Sequence, residues 1–155
     1  MLDRVIAGRL ARHQGYQAIQ VIPGVGQVLA AAFVAEIGDV TRVPDARHLC
    51  SWAGLTPTHR ESDTKVHRGH ISKQGNVLLR FLLVEAAQVT VRSDPHWRSQ
   101  FFHLALRRGR KIAKVAMARK LAVELYWMWR RGWDYEQMQQ LGSHAGEPGN
   151  RHDVQ

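Results

Sequence analysis

Ile22-Pro23-Gly24-Val25-Gly26, followed by the Ala-rich run Gln27 to Ile37, decides how this chain folds. Pro23 and Gly24 break the preceding segment, and the glycines permit a tight turn. The Ala-rich run behind them, closed by Gly38 and Asp39, predicts a helix with Gly38 as its C-terminal residue. A Pro-Gly-Val-Gly turn between two helices matches the hairpin of a helix-hairpin-helix unit. In such a unit the glycines allow a phosphate to approach closely. The following helix offers free N–H groups and the positive end of its dipole. The grip is on the backbone and reads no sequence. The plainer alternative is a turn that joins two packed helices. Pro23, Gly24, Val25 and Gly26 are therefore candidate DNA-binding residues.

Outward from the turn, the remaining signals are also helical. Residues 3–20 predict one helix of mixed polarity, with Val5, Ile6 and Leu10 on one side. Pro44-Asp45 introduces a short helix near Ala46–Trp52. Asn76 caps a helix to about Arg92, with Leu79, Leu82, Leu83, Ala86 and Val89 at helical spacing. Asp94-Pro95 opens the next helix, which runs to about Arg108 and stops at Gly109. A last helix, Ala113 to Arg131, carries Ala118, Leu121, Ala122, Leu125, Tyr126 and Trp129 on one stripe, and Gly132 closes it. No strand alternation stands out. The predicted fold is all-α: one compact helical domain with a helix-hairpin-helix-like unit and a central basic loop. Residues 1–17 read as the remnant of a preceding helix or a linker. Residues 18–133 form the domain, and 134–155 a polar tail expected to be disordered.

The 155 residues suffice for one domain with a core, and 45% are apolar, which excludes a disordered polyelectrolyte. No apolar run approaches the roughly 18 residues of a membrane span, and the N-terminus is not a signal peptide. The single cysteine, Cys50, excludes an internal disulfide. A reduced cytoplasmic setting is expected. Net charge is +9, but unevenly placed. Residues 58–131 hold sixteen Lys/Arg against five Asp/Glu, whereas residues 132–155 hold one against four. A positive field concentrated in this way draws polyanions by counterion release. Within it, Arg107, Arg108, Arg110 and Lys111, then Lys114, Arg119 and Lys120, suit a nucleic-acid surface, against the alternative of a solvated turn. Trp127, Trp129 and Trp133 suit core and tail packing better than base stacking.

The central loop carries the chemistry. Ser62 lies among Arg60, Lys65, Arg68 and Lys73. Serine is a weak nucleophile that needs a base or a metal. Attack on a phosphodiester builds charge on phosphate oxygens, which fixed cations stabilise. Ser72 is a competitor, although it lies close to the Asn76 cap. The alternative is an ordinary loop serine. His59, His67 and His70 lack the spacing of a zinc set, so no metal site is expected here.

Ile22 to Gly26, Glu36-Ile37-Gly38-Asp39, Ala46-Arg47, Ala53 to Pro57, Glu61-Ser62 and Arg68-Gly69 through Asn76 follow one another in a known order. In that order and spacing the chain resembles the C-terminal transposase domain of the IS-one-ten group of bacterial insertion-sequence transposases, also called DEDD transposases. Gly109 to Leu121 resembles it too. The resemblance covers roughly residues 18–131. It implies a serine nucleophile, at Ser62, that forms a covalent phosphoserine link to double-stranded DNA. It also implies a separate N-terminal RuvC-like domain whose acidic tetrad binds Mg2+, a structured bridge RNA, and a homo-oligomer. That N-terminal domain is not represented in the chain, which is expected to be incomplete as an enzyme. Asp63 stands where the family usually has Gly, and its carboxylate is expected to repel the phosphate. The competing reading is a non-catalytic nucleic-acid-binding module, or an inactive remnant of a truncated transposase.

Overall fold

The computed structural model describes residues 2–55, 57–60, 67–71, 77–138 and 140. Helix α1 spans Leu2–Leu10, α2 Gln14–Ile19, α3 Gln27–Ile37, α4 Ala46–Trp52, α5 Val77–Ser93, α6 Pro95–Arg108 and α7 Arg110–Arg131. A 3-10 turn at Val40–Arg42 links α3 to α4, and a further helical turn begins at residue 135. The architecture is the compact all-α domain that the periodicities predict.

Helix α7 is the axis of the fold. It is 22 residues long, roughly 33 Å at 1.5 Å per residue, and packs against α5, α6, α4 and α2. Its alanines at 113, 118 and 122 let neighbouring helices approach. Leu121, Leu125, Tyr126 and Met128 are fully buried among them. The Tyr126 hydroxyl, deep in this core, donates to the carbonyl of Val43 at 2.7 Å. Arg130 donates to the same carbonyl and to that of Pro44, so this cation anchors a loop. Trp127 and Trp133 stack at 6.5 Å, and Trp129 lies against Phe33, in agreement with their expected packing role.

The helix boundaries follow local capping chemistry. Gly38 ends α3 at φ 69°, its N–H donating to Val34 at 2.9 Å. The carboxylates of Asp45 and Asp94 accept from the N–H groups of His48 and His96, at 2.8 and 2.9 Å. These hydrogen bonds hold both carboxyls below their ordinary range. For Asp94, partial burial pushes upward, but bonds from Tyr135 and the backbone outweigh it. Gly132 closes α7 in the left-handed region.

Four sequence expectations change. The single helix over 3–20 is two, because the side chain of His13 caps α2 by accepting from the N–H of Tyr16 at 3.3 Å. That break turns Tyr16 and Ile19 into the core, and Gly15 lies beneath Trp129, where a Cβ would come within 2.5 Å of the indole. Val89 is 42% exposed, and Thr90 takes its place on the buried stripe of α5. Helix α7 starts at Arg110 and not Ala113, since Gly109 both ends α6 and begins α7. Finally, part of the central loop is a two-stranded antiparallel ribbon, β1 Pro57–Arg60 and β2 His67–Ile71. Its polar residues give no alternation to read, and Pro57, without an N–H, is tolerated at a strand's first position.

Candidate nucleic-acid interface

The four residues of the Pro-Gly-Val-Gly turn divide into two pairs. Pro23 and Gly26 are exposed, whereas Val25 is buried and its N–H donates to Ile22 at 3.0 Å. Val25 therefore serves the core and offers a ligand nothing. Gly24 sits at φ 99° against α5, and a Cβ there would lie 2.7 Å from the carbonyl oxygen of Ala86. The buried hydroxyl of Thr90 is shared between the carbonyls of Pro23 at 2.6 Å and Ala86 at 2.9 Å. Its placement locks the turn onto α5. At Gly26 the backbone is extended and a Cβ would meet nothing within 4 Å, so the start of α3 is open to solvent there. Of the two glycines, Gly26 is the one a phosphate can reach. The role of Gly24 is to let the turn contact α5.

The second cationic feature lies where α6 meets α7. Arg107, Arg108, Arg110, Lys111 and Lys114 are all exposed. Among the described residues the only ion pair is His48 with Asp45, so none of these five cations is neutralised by a carboxylate there. Arg107 and Arg108 end α6, where the helix dipole favours cations. Arg110 and Lys111 begin α7, where the dipole opposes them, and no acid shares that first turn. The first turn of α7 has no side-chain cap, so free N–H groups and two cations occur together. Lys120 does not belong to this surface. It is half-buried, with Nζ 4.6 Å from the centre of the Trp97 ring, and donates to Gln100.

In the ribbon, Arg60 pairs with His67 and His59 with Arg68, with a register shift between Pro57 and His59. The backbones of Arg60 and Arg68 are thus brought to one end of the ribbon. Ser62, Lys65 and Lys73 lie outside the described residues, as do Asp63, Ser72 and the Asn76 cap. Cys50, the other nucleophile type, is buried, and burial pushes its thiol up to about 11. It is an unreactive core residue.

Glu124 is the buried charge that sequence patterning misses. It is 8% exposed in α7, and its Oε2 has no hydrogen-bond partner among the described residues. Burial pushes its carboxyl up to about 7 despite Lys120, and Asp94 adds to the rise. Burial likewise lowers Lys120, so desolvation outweighs attraction on both partners. A folded-state value above the ordinary 4.5 means the fold prefers the protonated acid. The associated stability is complete below pH 4.5 and is lost as pH rises through about 7. Glu124→Gln is therefore expected to stabilise the protein at pH 8 by roughly 3 kcal/mol and to change little at pH 4.5. Denaturant titrations at the two pH values test this. An equal effect at both would show that ionisation is not its source.

A helical domain with a cationic end that no acid neutralises among the described residues, and an open glycine turn, is the class of protein these features define. The sequence matches the Transposase IS116/IS110/IS902 family over residues 16–102, and the chain belongs to that family. It is similar to an insertion element IS110 uncharacterized protein of Streptomyces coelicolor, 32% identical over 91% of this chain and 35% of the relative. It is similar to a probable family 20 transposase of Pseudomonas aeruginosa, 30% identical over 78% of this chain and 37% of the relative. A transposase for insertion sequence element IS1111A of Coxiella burnetii is 37% identical over 68% of this chain and 30% of its own length. The chain thus spans about a third of the length of these relatives. No helix of the described residues is long and apolar enough to cross a membrane.

Proposed function

We propose that this chain is the DNA-binding, serine-bearing part of an insertion-sequence transposase, acting in DNA transposition and site-specific recombination. The observation that carries the reading is the junction of α6 and α7. Cations placed against a helix dipole, with no carboxylate to neutralise them among the described residues, lower stability. A polyphosphate partner explains them, and membership of a transposase family supports DNA as that partner, read here as a duplex. Gly26, at the open start of α3, supplies a second backbone grip.

Ser62 is the proposed nucleophile, on the strength of the Glu61-Ser62 motif. Its Oγ forms a bond to phosphorus, one phosphodiester P–O bond breaks, and the serine proton ends on the leaving sugar oxygen. The phosphoserine link conserves the bond energy, and the reverse step rejoins the strand. Antiparallel pairing of Arg60 with His67 supports this reading, since it draws together the two ends of the segment that holds Ser62. Magnesium, a bridge RNA and a homo-oligomeric full-length form belong to the same proposal, through the resemblance.

Fluorescence anisotropy with a duplex of random sequence tests the binding. With some 4–6 phosphates contacted, log affinity should fall against log salt with a slope of roughly −4 to −5. In Arg110→Gln/Lys111→Gln the slope should become shallower by about 1–2, with affinity near 0.15 M salt reduced about ten- to thirtyfold. A flat response in the unaltered protein, or an unchanged slope in the double variant, would sink the reading.

A further inference from the structure

Between α5, α6 and α7 lies an open groove of about 340 Å³ that shares Arg110 and Lys114 with the duplex interface but adds Arg92, Arg98 and two phenylalanines to them. Its floor is apolar, from Ala87, Val91 and Met117. Phe101 and Phe102 form one wall, their rings edge to face at 5.8 Å. Phe102 is 50% exposed. Helix α6 has one fully buried residue, Trp97, so packing does not account for a phenylalanine on its open side. Around the groove stand Arg92, Arg98, Arg110 and Lys114, and its lining includes no carboxylate.

These features select an occupant. Four cations without an acid call for an anion. An exposed aromatic ring over an apolar floor calls for a flat, unsolvated face. About 340 Å³ is near the small end of ligand pockets, roughly 300–1,000 Å³, and has no room for a stacked duplex. Proteins that hold unpaired strands join cationic tracks to aromatic platforms in this way. We propose that the groove captures an unpaired nucleotide of single-stranded DNA. The base stacks on Phe102, and the flanking phosphates lie against Arg92, Arg98, Arg110 and Lys114. The inference rests on the DNA-binding reading above and adds a second mode of binding.

The test uses the whole chain and a short single-stranded DNA carrying 2-aminopurine, whose fluorescence is quenched by stacking, beside a duplex of the same sequence. The unaltered protein should bind the single strand with quenching. Phe102→Ala should weaken that binding about five- to thirtyfold and abolish the quenching, while duplex affinity changes less than about twofold. Phe102→Trp should retain both. Because Phe102 is half exposed, the alanine variant should melt within a few degrees of the original, and Phe102→Trp guards against a folding artefact. Binding of the duplex but not the single strand would overturn this inference and leave the duplex interface standing. Binding of neither would overturn both. Single-strand binding indifferent to Phe102, or a strand of RNA bound in place of DNA, would also overturn it. So would a dimer or an acidic peptide complex that Phe102→Ala dissociates, since either would identify a protein occupant.

Discussion

Ser62→Ala should abolish any covalent protein–DNA adduct and leave duplex affinity within about twofold, because a neutral hydroxyl contributes at most about 0.5–1.5 kcal/mol as a hydrogen bond. The two effects separate because a nucleophile matters only when its bond to phosphorus forms. In the proposed reading, binding comes from Arg107, Arg108, Arg110 and Lys111 and from the start of α3, all distant in sequence from the ribbon. The measurement is a denaturing gel of labelled duplex with the chain, Mg2+, and the remaining portion of a close relative with its RNA. The chain alone is expected to give little adduct, because the resemblance implies that the Mg2+-binding acidic residues lie in a separate RuvC-like domain. Asp63→Gly should raise the yield, by removing a carboxylate next to the nucleophile. An adduct of undiminished yield in Ser62→Ala would assign the chemistry to another residue, with Ser72 the first to examine.

Gly24→Ala should destabilise the fold by about 3 kcal/mol or more, whereas Gly26→Ala should cost under about 1 kcal/mol. The contrast arises from two neighbouring glycines in unlike surroundings. At Gly24 the backbone has φ 99°, which an L side chain seldom adopts, and the new Cβ would press on the Ala86 carbonyl at 2.7 Å. Neither strain nor clash relaxes easily, because Thr90 holds the turn against α5 through the Pro23 carbonyl. At Gly26 the backbone is extended and the space is empty. In a domain of this size the first change should lower the melting temperature by roughly 10 °C. Thermal unfolding of both variants decides. Equal, small losses would mean the turn does not bear on α5 as described. Gly26→Asp is consequently the cleaner probe of DNA contact, since Gly24→Asp would unfold as well as repel.

Much of the fold was legible before any coordinates. The stops at Gly38, Gly109 and Gly132 and the starts at Asp45 and Asp94-Pro95 are local events, each set by a side chain and the backbone within a turn of it. The stripe of α7 from Ala118 to Tyr126 was legible because 3.6-residue spacing is a property of one helix. The excess of cations in residues 58–131, and the order of motifs that marks the family, are likewise carried by the chain itself.

Other features needed partners far along the chain. Thr90 displaces Val89 from the core because its hydroxyl meets the Pro23 carbonyl, 67 residues away. Gly24 and Gly26 look alike in sequence and separate only when α5 arrives beside one of them. Lys120 reads as part of a basic surface until Trp97 and Gln100 cover it. Phe101 and Phe102 give no signal by themselves, since their groove exists only where three helices converge. Propensity, caps and net charge are sums over neighbours in sequence. Burial and the direction a side chain faces depend on contacts between distant segments, and these exist only once the chain has packed.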